Sequence, residues 1–177
     1  MTFDLLFVCT GNICRSPTAE LLAAHVLPGD RFRVHSAGTY GLDGYGIEPG
    51  AARELTTRGI DSDAFRARRI TEEMVQRADL ILTATREHRS AVVTLEPRAL
   101  ARTFTMREFA RLLDAVEPAA DPREVVARAA AVRGRRAPAR PEDDDVADPY
   151  GRGAAAYERA AVEIAEALRR PLEVLAG

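Results

Sequence analysis

Residues 3–9 read Phe-Asp-Leu-Leu-Phe-Val-Cys, a nearly continuous apolar run that stops at the turn signal Thr10-Gly11-Asn12. A run so short and so apolar suits a strand buried on both faces, as in a parallel sheet. Ser16-Pro17 opens a helical stretch in which Ala19, Leu22, Ala23 and Val26 recur at helical spacing, and Pro28-Gly29-Asp30 closes it. Phe32 to Ala37 then alternates as a second strand. Strand, helix and strand within about 35 residues make a βαβ unit. Further on, a helix over 51–58 is stopped by Gly59, and Thr71 is a plausible N-cap for another. A third buried strand is expected over 79–84, a helix over 86–95, a short fourth strand over 101–105 and a helix over 106–113. Helices over 122–133 and 153–168 complete the pattern. Alternating elements of this kind imply an open, mostly parallel sheet with helices on both faces, whose ligands bind beyond the carboxyl ends of the strands.

The chain has 177 residues, enough for one domain with a core of its own, and a hydrophobic fraction of 46% is ordinary for a soluble protein. A net charge of −2 argues against a dedicated binder of nucleic acid or of anionic membranes. All 25 basic residues are Arg, most of them scattered, which reads as coding bias rather than wholesale phosphate recognition. Two cysteines exclude a disulfide scaffold, and no signal peptide or apolar run of membrane-spanning length is present, so the expected compartment is the cytoplasm. His25, His35 and His88 show no metal-ligand spacing and read as surface residues; no Walker or dinucleotide loop exists, so neither metal nor organic cofactor is expected. The charged stretch 134–145 reads as a solvated loop, with a charged rim around a site as the alternative.

The first βα loop carries the chemistry. Cys9-Thr10-Gly11-Asn12-Ile13-Cys14-Arg15-Ser16 sets a Cys and an Arg six positions apart. A loop closing from strand to helix turns its N–H groups inward as an anion nest, and Gly11 and Asn12 tolerate the backbone angles this needs. Those dipoles, the helix N-terminus and Arg15 all favour a thiolate at Cys9, while Arg15 can grip two phosphoryl oxygens. The bare spacing is weak by itself and is also met by a buried strand-end thiol with a surface Arg.

Val8 to Glu20 resembles the signature of the low-molecular-weight protein tyrosine phosphatases, bacterial type. Ser36-Ala37-Gly38-Thr39, Ala67-Arg68-Arg69-Ile70-Thr71, Ala78 to Leu82 and Asp148-Pro149-Tyr150 resemble its later segments in the same order. The resemblance implies a three-layer α/β sandwich with a four-stranded parallel sheet. It implies a Cys9 nucleophile forming a phosphocysteine, Arg15 and the N–H groups of residues 10–15 holding phosphate, and Asp148 as general acid and then base. Asn12, Ser16 and Ser36 are expected to brace the loop. A His that often joins that bracing is replaced here by Phe65, so the bracing must differ. Cys14 is either a redox partner of Cys9 or a small packing residue. Ile13 and Tyr150 are expected to face a phosphotyrosine ring, with Tyr40, Leu42 or Tyr45 opposite, or else these aromatics are simply exposed. The implied partner is a phosphotyrosine protein, a bacterial tyrosine kinase among the candidates, met by a monomer. Rivals are an arsenate reductase, which lacks its resolving cysteines here, and a non-catalytic phosphopeptide module. A protein-arginine phosphatase is a nearer rival, whose relatives carry Thr where this chain has Ile13.

Overall fold

A computed structural model of the chain describes residues 2–177. Four strands, β1 (Phe3–Cys9), β2 (Phe32–Gly38), β3 (Leu80–Thr83) and β4 (Thr103–Thr105), form one parallel sheet in the order β2-β1-β3-β4. The helices are α1 (Arg15–Val26), α2 (Pro49–Thr56), α3 (Glu72–Arg77), α4 (Arg86–Leu95), α5 (Met106–Leu113), α6 (Pro122–Val132) and α7 (Ala154–Ala176). Every residue of β1 is buried, as its apolar run demands. Side chains alternate across a strand, so β1 feeds two cores. Phe3, Leu5 and Phe7 meet Phe104, Phe109, Ile164 and Leu168 on one face. Leu6 and Val8 meet Val75, Ile81 and Val92 on the other.

Threonine hydroxyls start three of the helices. Thr71, Thr85 and Thr105 accept from main-chain N–H groups three residues on, and Glu108 closes a capping box at α5. The chain leaves β1 toward β2 on one side and later returns to β3 on the other, so the crevice where the strand order reverses lies at the carboxyl end of β1.

Three expectations are corrected. Helix α7 does not stop at Leu168 but runs through Pro171 to Ala176. The ring forfeits a single main-chain bond, while Pro171, Leu172 and Leu175 are all buried. The stretch 134–145 is exposed only in its first part. Asp144 is buried against Arg111 Nη2 at 2.8 Å, and Asp145 takes a fork of hydrogen bonds from Arg86 Nε and Nη2. His35 and His88 are buried rather than superficial, with His35 Nε2 2.5 Å from Asp4 Oδ1.

Candidate active site

Cys9 ends β1 and Arg15 begins α1, so the residues between them must turn within a few ångströms of the sheet. Asn12 sits at φ 57°, the left-handed region that Asn tolerates better than most residues. Its side chain is fully buried and braces the turn. Asn12 Nδ2 donates to Ser16 Oγ at 2.9 Å and Ser36 Oγ at 2.7 Å, and Oδ1 accepts the Arg68 N–H at 2.9 Å. Ser36 Oγ in turn donates to Glu20 Oε2 at 2.5 Å, and burial pushes the Glu20 carboxyl up from its ordinary value. Glu20 therefore extends a bracing network in which a main-chain donor, the Arg68 N–H, also holds Asn12.

Five of the six carbonyls from Cys9 to Cys14 are taken up by neighbouring N–H groups. Those of Cys9, Thr10 and Gly11 accept from the N–H groups of Thr39, Tyr40 and Leu42; those of Ile13 and Cys14 accept from Glu48 and Thr18. Peptide planes so oriented send their N–H groups the other way, and among the described residues those of Thr10 to Cys14 meet no protein acceptor. Helix α1 adds its own first turn, with no capping side chain and no acid. Gly38 makes this possible: a Cβ there would lie 2.3 Å from the Thr10 carbonyl oxygen.

A cavity of about 230 Å³ opens over these N–H groups, lined by Cys9, Thr10, Gly11, Ile13, Cys14, Arg15, Tyr40, Leu42, Asp148 and Tyr150. Cys9 Sγ lies 3.0 Å from Ser16 Oγ. Arg15 is buried. Its Nη1 donates to the Val146 carbonyl at 3.1 Å and its Nη2 to Asp148 Oδ2 at 2.9 Å, while Nε has no protein partner. Asp148 Oδ1 accepts the Tyr150 N–H at 3.1 Å. The segment carrying Asp148 is tied to the sheet by the Val146 N–H, which donates to the Ala84 carbonyl just past β3. Cys14 packs among Ala51, Tyr157 and Ile13, and burial, with Cys9, Asp148 and Glu48 nearby, pushes its thiol up to about 12. Both cysteines are free.

Tyr40, Leu42 and Tyr150 are exposed apolar side chains that share this one rim. Tyr45 does not join them, contrary to expectation. Its N–H turns back to the Leu42 carbonyl, with Gly44 at φ 82°, and the turn gives Leu42 to the cavity in its place. His88, 78 residues from Thr10 in sequence, reaches the loop with Nε2 2.8 Å from Thr10 Oγ1. Nothing in its spacing could have shown this, since the contact depends on how α4 docks.

A family model described as low molecular weight phosphotyrosine protein phosphatase matches residues 4–124. The chain is 31% identical over 160 residues to a protein of Ralstonia nicotianae named probable low molecular weight protein-tyrosine-phosphatase EpsP, covering 90% of this chain and 87% of that one. It is also 31% identical over 176 residues to a protein-arginine-phosphatase of Geobacillus stearothermophilus, covering 99% and 97%. Among solved structures, an arginine phosphatase from Geobacillus stearothermophilus superposes with a TM-score of 0.74 at 28% identity, over 97% of this chain and 91% of that one. A tyrosine phosphatase of Erwinia amylovora shares the fold with a TM-score of 0.76 at 22% identity, over 100% and 95%.

Proposed function

The chain belongs to the low molecular weight phosphotyrosine protein phosphatase family, and from that premise we propose that it hydrolyses phosphotyrosine in proteins through a phosphocysteine on Cys9. The observation that carries this reading is that the N–H groups of Thr10 to Cys14 and the buried Nε of Arg15 have no protein acceptor, in the loop that lines one cavity with the Cys9 thiol. Such donors match the equatorial oxygens of a phosphoryl group as charge shifts during transfer.

The Cys9 thiolate, receiving a hydrogen bond from Ser16 Oγ, attacks phosphorus, and the bond from phosphorus to the phenolic oxygen breaks. Asp148, at the cavity mouth, gives its proton to the leaving phenolate. In the second step the Asp148 carboxylate takes a proton from water as that water attacks the phosphocysteine, and the S–P bond breaks, returning the thiolate. Cys14, held as a thiol by its burial, is the reserve. Peroxide would oxidise Cys9 to a sulfenic acid, and Cys14 sulfur would displace water from it to give a disulfide.

Ile13 and the Tyr40, Leu42 and Tyr150 rim favour an aromatic ring over a guanidinium, for which an apolar wall offers no acceptor. The similarity to an arginine phosphatase along nearly the whole chain makes phosphoarginine the second reading. The physiological substrate proposed is a phosphotyrosine protein such as a bacterial tyrosine kinase. Among the described residues, no helix is long and apolar enough to cross a membrane.

The test is phosphate release, without added metal, from phosphotyrosine, phosphoarginine and phosphoserine peptides. Cys9→Ser should lower phosphotyrosine turnover on the order of 10³-fold or more. Asp148→Ala should lower it about 10²-fold or more, chiefly for substrates with poor leaving groups. Full activity in Cys9→Ser would sink the mechanism, and preference for phosphoarginine would overturn the substrate reading.

A further inference from the structure

Thr10 follows the nucleophile, lines the cavity and is exposed to it. Its hydroxyl oxygen lies 2.8 Å from His88 Nε2, and the other ring nitrogen, Nδ1, lies 2.9 Å from Thr85 Oγ1. Thr85 caps α4, and its oxygen accepts the His88 N–H at 3.4 Å. We propose, resting on the phosphatase reading above, that His88 is a positioning residue: it donates from Nε2 to Thr10 Oγ1 and so turns the Thr10 hydroxyl proton toward the phosphoryl group.

The direction of each hydrogen bond follows from what the Thr10 oxygen must face. A hydroxyl has one proton to give. The Thr85 oxygen accepts from the main chain, and with its own proton and a second lone pair it can serve either tautomer of the ring. The choice is made at Thr10, which must present its proton to an anion, so Nδ1 accepts from Thr85. A neutral imidazole then carries its single proton on Nε2 and donates it to Thr10. With that lone pair of Thr10 engaged, the Thr10 proton is free for the cavity. The opposite tautomer would take the Thr10 proton for the ring and present oxygen lone pairs to a dianion, which electrostatics disfavours. Burial, and Arg15 beside the ring, push His88 down to about 4, so the ring is neutral over the physiological range. It acts by orientation and brings no charge of its own. The N–H groups of the loop are fixed by their peptide planes. Thr10 would be a donor held by a side chain instead, and its aim depends on a residue in a different element.

The experiment compares wild type with Thr10→Val, Thr10→Ser, His88→Ala, His88→Gln and the Thr10→Val/His88→Ala double variant. It reads kcat and KM on an aryl phosphate, and the affinity for inorganic phosphate by titration. Thr10→Val and His88→Ala should each lower kcat/KM about tenfold, the size expected for one hydrogen bond to a charged group. The double variant should be no worse than the worse single, because both remove one interaction. Thr10→Ser, and His88→Gln with an amide N–H in place of Nε2–H, should recover most of the loss. Nitrogen NMR of the wild-type ring should find Nε2 protonated and Nδ1 bare.

Wild-type kcat/KM in Thr10→Val, additive losses in the double variant, or a proton on Nδ1 would each overturn the proposal. If His88→Ala does not fold, Thr10→Val and His88→Gln carry the test. A wild-type protein without Cys9-dependent turnover would sink the phosphatase reading instead. The phosphate affinity of Thr10→Val would still decide this one: a tenfold loss supports it, and no change overturns it.

Discussion

Two cysteines line the same cavity, yet their surroundings set them apart. Cys9 lies at the mouth of a ring of N–H donors with Ser16 Oγ at 3.0 Å, whereas Cys14 sits among Ala51, Tyr157 and Ile13 with its thiol pushed up to about 12. Only a thiolate alkylates readily. Iodoacetamide near neutral pH should therefore modify Cys9 and spare Cys14, as mass spectrometry of the digested protein would read. Equal labelling would contradict the division of roles. The same protonation makes Cys14 a slow partner for an oxidised Cys9.

His88 also leaves a mark on stability. Its folded value, about 4, lies below the ordinary 6.5, so between those values the unfolded chain binds a proton that the folded protein does not. Stability from the neutral ring is complete above 6.5 and is lost as pH falls toward 4, by on the order of 3 kcal/mol. Urea unfolding of wild type and His88→Gln at both ends of that window should show the wild type losing more. Parallel losses would mean that His88 takes up its proton equally in the folded and the unfolded chain.

At the scale of elements, the segment that delivers Asp148 depends on its anchors. Asp145 is forked by Arg86 from the start of α4, Asp144 is held by Arg111 of α5, and Val146 is pinned to Ala84 and to Arg15. Asp145→Ala should lower kcat several-fold for poor leaving groups while leaving KM nearly unchanged, since phosphate is gripped elsewhere. A change confined to KM would show that the segment shapes binding instead.

These anchors mark the limit of what the sequence could tell. The β1–loop–α1 unit was legible because each of its signals is local: an apolar run, a Gly-Asn turn, a Cys and an Arg held at fixed spacing. Asn12, Ser16 and Ser36 were legible through resemblance to a family. Glu20, His88 and the Asp144-Asp145 pair were not, because their partners come from other elements, with Arg86 and Asp145 lying 59 residues apart. Their roles depend on docking, which no periodicity encodes. Helix α7 overran its expected end for a related reason. Burial of Leu172 and Leu175 outweighed the local stop signal of Pro171.

For the molecule as a whole, α7 is the cover of the larger core. It places Ile164, Leu168, Leu172 and Leu175 against the face built from Phe3, Leu5 and Phe7, and Arg31 Nη1 ties its last turn down through the Ala176 carbonyl at 3.1 Å. Ending the chain before Pro171 would expose the surface that Leu172 and Leu175 cover. The loss should be roughly 3 kcal/mol or more, at about 1.5–3 kcal/mol per buried leucine. A lower urea midpoint with unchanged kcat for the folded fraction is the expected result. An unchanged midpoint would mean that the last turn adds nothing.

The outward-facing carbonyls of the phosphate loop have a consequence for anyone wishing to transplant it. Residues 9–16 do not hold their own shape. Thr39, Tyr40, Leu42 and Glu48 pull the peptide planes into line, over the bare backbone of Gly38. As a free peptide, or spliced into a foreign strand–helix junction, the same eight letters would collapse onto their own donors and hold no anion. The portable unit is two adjacent strips of chain, and a mould must travel with its cast.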